Sequence, residues 1–489
     1  MLTTLVVYFA IIYVVSRRSD GRGGNDDFFR ANRQSPWYLV AFGMIGASIS
    51  GVSLISVPGW VQKTHMTYLQ MCLGFVVGYF LVAVVLLPLY YRLRLTSIYA
   101  YLGQRFGKKT QKSGAFFFFI SKLTGASARL YIVVVVVTQF MGGFAFGTSL
   151  WMKILVAAFL LILIFSYTRR SGIKTLVRTD VLQTACMLLA MVGIVLAAVE
   201  VLGLDFRGVR TLLSESPMSQ VFEWDSQSPQ AFWRQFLSGI FITVVMTGLD
   251  QDMMQKNLTC SNIRNAQKDM FSYGLAFFPI NAILLVLGVL LYAVSASVPS
   301  CENLSGDTLL PSLVSSGALG TWVVVPFTIG VIAAAFSSAD SAWTSLTTSF
   351  CIDLLGIERE GYETGKAERM RKIVHFAMGV AFLVCMVILS LIRDDSVINA
   401  IYIMASYTYG PLLGLYAFGL LTRCRISERF VPVAVIASPV ICGILDYLAP
   451  RIWNYTFGYE LLLLNGAITF LLLFLQPREK SLPEKNSHA

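Results

Sequence analysis

Long apolar segments, separated by short polar and often basic segments, run through almost the whole chain. Many of these apolar segments approach the roughly 20 residues that an α-helix needs to cross the hydrocarbon core of a bilayer. The pattern predicts an all-α polytopic membrane protein with about thirteen transmembrane helices. Composition supports this interpretation, since 56% of the 489 residues are hydrophobic and only 13% are charged. A lipid bilayer is therefore the expected environment.

The same pattern predicts a single transmembrane domain (1–489) with five parts. They are a first helix with its inner loop (1–35), a first five-helix block (36–200), a second five-helix block (231–421), two peripheral helices (430–476) and a charged cytoplasmic tail (477–489). Two blocks with an odd number of helices have opposite orientations in the membrane, so they form a candidate inverted repeat. In transporters of this kind the binding site lies near the bilayer midplane, where the repeats meet.

The formal net charge of +11 is spread in a way that predicts the orientation. Most Lys and Arg residues fall in alternate loops, such as 91–112 and 169–178, which the positive-inside rule assigns to the cytoplasm. We therefore expect a multi-pass protein of the cell (inner or plasma) membrane with its N-terminus outside and its C-terminus inside. Segment 2–16 lacks the flanks of a cleaved signal peptide and is interpreted as the first membrane helix. Nothing in this charge distribution indicates a nucleic-acid partner.

Two predicted membrane helices are rich in glycine and small polar residues. One spans 36–60 and includes Gly46 and Gly51, and the other spans 231–249 and ends near Gly248. Glycine weakens a helix interior by about 1 kcal/mol relative to alanine. Such clusters indicate either interrupted helices whose free carbonyls line a cavity, or tightly packed helix faces. The residues alone leave both possibilities open.

Segment 319–353 carries the most distinctive polar pattern. An ionisable residue at bilayer depth, such as Asp340, costs about 2.5–3.5 kcal/mol to insert and usually marks a pathway or a site. At helical spacing, Ser337, Asp340 and Ser341 share one face. This face is rich in the oxygen atoms that hard cations such as Na⁺ require. The alternative is that the hydroxyl groups bond to carbonyls of their own helix or mediate helix packing.

Two further charged residues lie inside predicted membrane helices, and each has two possible roles. Arg129 either pairs with a carboxylate as a structural partner or holds an anionic solute through both of its terminal nitrogens. Asp180 either contributes to a cation site or pairs with Arg178 or with a loop lysine.

Four motifs, taken in combination and in this order, resemble the sodium:solute symporter family. They are Ser97-Ile-Tyr-Ala-Tyr-Leu-Gly-Gln-Arg-Phe-Gly107, Thr179-Asp-Val-Leu-Gln183, Asp250-Gln-Asp-Met-Met-Gln-Lys-Asn-Leu258 and Ser337-Ser-Ala-Asp-Ser341. The resemblance covers nearly the whole chain and implies a LeuT-type 5+5 inverted repeat with flanking helices. It implies a transporter rather than an enzyme. The implied function is Na⁺-coupled import, by alternating access, of a small organic solute such as a sugar, a sialic acid or another organic acid.

The resemblance also implies particular site residues. The main Na⁺ site, formed by backbone carbonyls and hydroxyl groups, is expected at Gly46, Ile49, Ala334, Ser337 and Ser338. A further Na⁺ site, present in some members, corresponds here to Asp180, Asp340 and Ser341. Because Asp340 replaces a hydroxyl residue there, two carboxylates would share that site. Solute contacts are expected at Ser50, Ser53, Gln70, Arg129, Thr243, Met246 and Tyr402.

Two positions depart from the sugar cotransporters of the family. Met246 replaces an inner-gate tyrosine and Tyr402 replaces a sugar-contacting glutamine, which disfavours glucose and galactose. Coupling to protons is the main alternative within transport, because paired carboxylates also carry protons. A solute sensor is the other alternative, although the residues after 476 are too few for an appended signalling domain. An intramembrane aspartyl protease is disfavoured because neither Asp180 nor Asp340 lies in a Gly-x-Gly-Asp sequence.

Overall fold

The computed structural model describes residues 2–19, 24–140, 149–298, 301, 304–358, 363–391 and 397–476. In these residues the chain forms twenty α-helices, some joined by short π-helical turns, and the described residues contain no β-strand. The α-helices are α1 (Leu2–Ser19), α2 (Asn25–Arg30), α3 (Trp37–Ser48), α4 (Gly51–Thr64), α5 (Tyr68–Leu81), α6 (Leu87–Arg92), α7 (Ala100–Phe106), α8 (Lys108–Phe140), α9 (Leu150–Thr168), α10 (Ile173–Val201), α11 (Phe206–Glu215), α12 (Phe232–Thr243), α13 (Gln251–Asn257), α14 (Ile263–Ser297), α15 (Leu309–Ser315), α16 (Val324–Ser349), α17 (Thr364–Leu391), α18 (Val397–Leu421), α19 (Val431–Ile452) and α20 (Leu461–Leu475).

The predicted all-helical class is confirmed, and each of the thirteen predicted membrane helices coincides with one helix or one interrupted helix. Within the described ranges, eight helices are long and apolar enough to cross a membrane, or nine if Phe232–Gly248 and Gln251–Asn257 form one bent span. Helices α3 and α20 are apolar but shorter. Most of the buried core is aliphatic and aromatic, and the polar exceptions concentrate on α10, α13 and α16.

The second predicted membrane helix is interrupted, which is one of the two possibilities that its glycine content left open. Helix α3 ends at Ser48 and α4 begins at Gly51. Between them, Ile49 adopts φ −85° and ψ 87°, and Ser50 is extended and accepts a hydrogen bond from the Ser53 amide at 3.4 Å. The end of a helix leaves its last carbonyl groups without intrahelical donors. The interruption therefore leaves carbonyl oxygens available to a cation or a hydroxyl group.

The glycine-rich helix predicted at 231–249 is interrupted as well. Helix α12 passes into a π-helical turn over Val244–Gly248, and the following helix α13 is bent by 69° from this direction. The Asp250 carboxylate caps α13 by accepting hydrogen bonds from the amides of Asp252 at 2.8 Å and Met253 at 3.3 Å. Such a cap satisfies donors that the interruption leaves without carbonyl partners.

The segment after this bend is polar in sequence but buried in the structure. Every residue of α13 is buried. Helix α13 packs against α3, α10 and α16, so its polar side chains reach the centre of the helix bundle. The bend is the physical reason, because a straight continuation of α12 would carry these residues away from α10.

Helix α10 packs against both α3 and α16, and glycine allows the approach to α3. A Cβ atom at Gly46 would lie 2.0 Å from the Thr184 hydroxyl oxygen and 3.1 Å from the Thr184 Cα on α10. A methyl group at this position would therefore require the Thr184 side chain to move and the two helices to separate slightly.

We expect Gly46→Ala to lower the midpoint of thermal unfolding, because overpacking a core typically costs about 1–3 kcal/mol. Gly193→Ala is the matched control on α10, since an added Cβ there would meet its nearest neighbour, a Trp322 ring atom, only at 3.6 Å. The measurement is thermal unfolding of the purified protein in detergent. Equal midpoints for the two variants would contradict the steric argument.

Candidate solute and sodium sites

A cavity of about 210 Å³ lies beside both interrupted helices. Its wall is formed mainly by α4, α5, α8, α12, α14 and α18. Aromatic rings supply much of the surface, and a small number of polar and charged groups face the same space, as is typical of small-molecule sites. The polar and charged groups are Ser48, Ser50, Ser53, Ser121, Lys122, Arg129, Thr243, Thr247, Asp250, Asn281 and Ser406.

Most of the predicted solute contacts line this cavity, namely Ser50, Ser53, Arg129, Thr243 and Met246. Gln70 is not among the described residues that line it, and its contact with solute stays a prediction. The Gln70 amide nitrogen donates to the carbonyls of Thr67 at 3.2 Å and Gln230 at 3.0 Å, and its oxygen accepts from the Glu223 amide at 3.1 Å. Gln70 therefore fastens the loop before α12 to α5. The side chain of Tyr402 lies outside the described residues.

Lys122, one of the cations at the cavity, is neutralised by the protein itself. Its Nζ lies 3.1 Å from Oδ2 of Asp250 and 2.8 Å from Oδ2 of Asp252. The Tyr409 hydroxyl on α18 donates to the same Asp250 oxygen at 2.6 Å. Lys122 therefore ties α8 to the start of α13, and α18 joins the same network.

Arg129 lies on the same face of α8 as Lys122, about two turns further along. It is half-buried and lines the cavity. Among the described residues, Arg129 forms neither an ion pair nor a hydrogen bond, and its interaction with Tyr409 is electrostatic only. The structural carboxylate partner that the sequence left open is not found in the described part of the chain. The guanidinium group is thus available to a ligand in the cavity.

The residues predicted for the main Na⁺ site meet where the end of α3 faces α16. The Ser338 hydroxyl donates to the Ala47 carbonyl at 3.3 Å, which places a hydroxyl of α16 at the interrupted end of α3. The Ser337 hydroxyl donates to Oδ1 of Asp180 at 2.7 Å. The other predicted ligands of this site are also buried, and they are Gly46, Ile49 and Ala334. Carbonyl and hydroxyl oxygens of this kind are the ligands that hard cations prefer.

Asp180 pairs with a lysine, as one of the two sequence interpretations allowed. Nζ of Lys256 on α13 lies 2.7 Å from Oδ2 of Asp180, and both side chains are almost completely buried. The sequence pointed to a loop lysine, whereas Lys256 lies on the buried helix α13. No local pattern links positions 180 and 256, because the bend before α13 brings them together.

Asp340 is held by hydroxyl groups. Tyr167 on α9 donates to its Oδ2 at 2.7 Å, and Ser341 donates to its Oδ1 at 3.4 Å. Asp340 and Asp180 are close enough to interact electrostatically. A second Na⁺ site at Asp180, Asp340 and Ser341 stays a prediction, and the position of Lys256 bears directly on it.

A sequence model of the sodium:solute symporter family matches residues 28–426, which is more than half of the chain. The chain belongs to the sodium:solute symporter family. The human sodium/iodide cotransporter is 24% identical over 450 residues, which are 88% of this chain and 66% of that protein. The sodium/sialic acid symporter NanT of Aliivibrio fischeri is 22% identical over 428 residues, which are 84% of this chain and 81% of that protein. This family member thus spans just under two thirds of its human relative.

Solved structures of two transporters show the fold of this family member. A Na⁺-coupled sialic acid symporter in a substrate-bound, outward-open state superposes with a TM-score of 0.81 at 18% identity, covering 98% of both chains. Mhp1, a nucleobase-cation-symport-1 family transporter, superposes with a TM-score of 0.55 at 13% identity, covering 91% of this chain and 92% of that one. The predicted LeuT-type fold is confirmed.

Proposed function

We propose that the protein imports a small organic anion together with Na⁺ by alternating access. The observation that carries this proposal is Arg129, a half-buried cation in the cavity that has no ion pair or hydrogen bond among the described residues. A guanidinium group matches a carboxylate with two parallel hydrogen bonds, so an organic acid would supply the missing partner. Two relatives are named for anionic solutes, iodide and sialic acid, which supports a negatively charged solute.

The main Na⁺ site that we propose uses the carbonyl groups of Gly46, Ile49 and Ala334 with the hydroxyl groups of Ser337 and Ser338. Its support is the contact of Ser338 with the Ala47 carbonyl, which shows that α16 reaches the free end of α3. The protein would act as a transporter and not as an enzyme, with Na⁺ as the coupling ion.

The proposed location is the cell membrane, with the N-terminus outside and the C-terminus inside. The basic loops converge on one end of the molecule, since Arg30 hydrogen-bonds to Thr96 at 2.7 Å and Lys174 pairs with Asp27 at 2.8 Å. Basic loops collect on the cytoplasmic side of a membrane. Labelling of single introduced cysteines in these loops with an impermeant maleimide, in intact and in permeabilised cells, tests this orientation.

Transport in proteoliposomes tests the proposed function. Organic acids, sugars and amino acids are offered under an inward Na⁺ gradient and, separately, under an inward proton gradient. We expect the Na⁺ gradient alone to drive uptake of an organic acid. Uptake driven only by the proton gradient would contradict Na⁺ coupling, and uptake restricted to uncharged sugars would contradict the role of Arg129. Solute binding without uptake would favour a sensor.

Ser338→Ala is expected to raise the Na⁺ concentration for half-maximal uptake by about tenfold. The reason is the loss of one oxygen ligand, since a polar contact of about 1–1.5 kcal/mol corresponds to roughly a tenfold change in affinity. Ser345→Ala is the matched control on the same helix, because the Ser345 hydroxyl donates within its own helix to the Ala342 carbonyl at 3.0 Å. If Ser338→Ala leaves the Na⁺ dependence unchanged, Ser338 is not a ligand.

A further inference from the structure

The amino group of Lys256 lies among the buried carboxylates of the helix bundle. Its Nζ contacts Oδ2 of Asp180 at 2.7 Å, and Asp252 and Asp340 add electrostatic attraction. Lys256 is 1% exposed and Asp180 is completely buried. A buried charge is tolerated only when a partner compensates it, so the ammonium and the carboxylate depend on each other.

Both oxygens of Asp180 are engaged by the protein. Oδ2 faces Lys256, and Oδ1 accepts the hydroxyl of Ser337 at 2.7 Å. A metal ion bound to this carboxylate would lie close to the like charge of the ammonium, which repels it. Asp180, Asp340 and Lys256 are not among the described residues that line the solute cavity, so the lysine meets the carboxylates outside that cavity.

We propose that the ammonium group of Lys256 is a built-in cation that takes the place of a second Na⁺ at Asp180, so that the protein couples solute uptake to a single Na⁺. This inference rests on the proposed function. The lysine and a sodium ion each carry one positive charge and both are attracted by a buried carboxylate. The lysine, however, stays with the protein and draws no energy from the Na⁺ gradient.

A single coupling ion has an energetic consequence. One Na⁺ moving with one monovalent anion carries no net charge, so the membrane potential does not drive the uptake. A tenfold Na⁺ gradient would then support at most about tenfold accumulation, because equal concentration ratios carry equal free energy. Two Na⁺ ions would square this ratio and add the contribution of the potential, about 2.3 kcal/mol per charge at 100 mV.

Binding of radiolabelled Na⁺ to the purified protein, without any solute, tests the inference. The wild type is expected to bind a single Na⁺ per chain, and Lys256→Arg, which keeps the cation, is expected to do the same. Lys256→Met removes the ammonium while the oxygens of Asp180, Asp340 and Ser341 remain, so the Na⁺ bound per chain rises roughly twofold. Asp180→Asn in combination with Lys256→Met removes both charges and returns the value to that of the wild type.

The outcomes separate this inference from the proposed function. A second Na⁺ bound to the wild type would overturn the inference, as would Lys256→Met binding no more Na⁺ than the wild type. If Lys256→Met does not fold, the wild-type value decides alone, with a single Na⁺ supporting the inference and two overturning it. No specific Na⁺ binding at all would overturn the proposed function and this inference with it.

Discussion

Arg129→Gln raises the KM for the transported anion by about 10- to 100-fold. Hydrogen bonds to a charged group contribute about 1.5–3 kcal/mol, and each 1.4 kcal/mol corresponds to a factor of ten. We expect this effect at Arg129 because no carboxylate among the described residues forms an ion pair with it. Lys122, two turns away, is already neutralised by two carboxylates. Lys at position 129 keeps the charge but loses the planar fork, so Arg129→Lys should have an intermediate KM.

Uptake kinetics in proteoliposomes, at saturating Na⁺, provide the measurement for Arg129. Arg207→Gln is the matched control, since Arg207 is exposed on α11 and does not line the cavity. Binding of radiolabelled Na⁺ to Arg129→Gln should equal that of the wild type, which separates a solute effect from a folding defect. An unchanged KM for the anion would remove Arg129 from the solute site.

Asp250→Ala is expected to destabilise the folded protein by about 3 kcal/mol. The carboxylate caps α13, and such a cap contributes about 1 kcal/mol. It also accepts the Tyr409 hydroxyl at 2.6 Å and pairs with Lys122 at 3.1 Å. Hydrogen bonds to charged groups contribute about 1.5–3 kcal/mol each, but neighbouring contributions are not additive. Lys122 keeps its contact with Asp252 at 2.8 Å, which limits the loss.

Thermal unfolding in detergent compares Asp250→Ala with two controls. Asp250→Asn keeps the oxygen that caps the helix but places an NH2 group where Oδ2 accepts from Tyr409, so its midpoint should lie between those of the wild type and Asp250→Ala. Asp205→Ala removes only a cap, because the Asp205 carboxylate accepts from the Gly208 amide at 2.7 Å at the start of the exposed helix α11. If Asp250→Ala unfolds at the same temperature as Asp205→Ala, the network with Lys122 and Tyr409 contributes nothing to stability.

The sequence by itself predicted the apolar helices and identified the two helices that are candidates for an interruption. Both are local properties, because the length of an apolar segment and its glycine content act within one helix. Ser338 was identified as a candidate ligand for the same reason, through its motif. These features were predictable without knowing which helices touch.

Only the tertiary structure decided the partners of the charged residues. The pair of Asp180 with Lys256 depends on the 69° bend that turns α13 towards α10, and residue spacing carries no information about that bend. Gln70 was predicted to contact solute, yet its side-chain amide forms hydrogen bonds with the backbone of Thr67, Glu223 and Gln230. Arg129 differs from Lys122 because, among the described residues, no carboxylate forms an ion pair with it, whereas Lys122 pairs with two. The sequence thus shows where the charged residues are, but the packing of helices distant in sequence decides which group neutralises each of them.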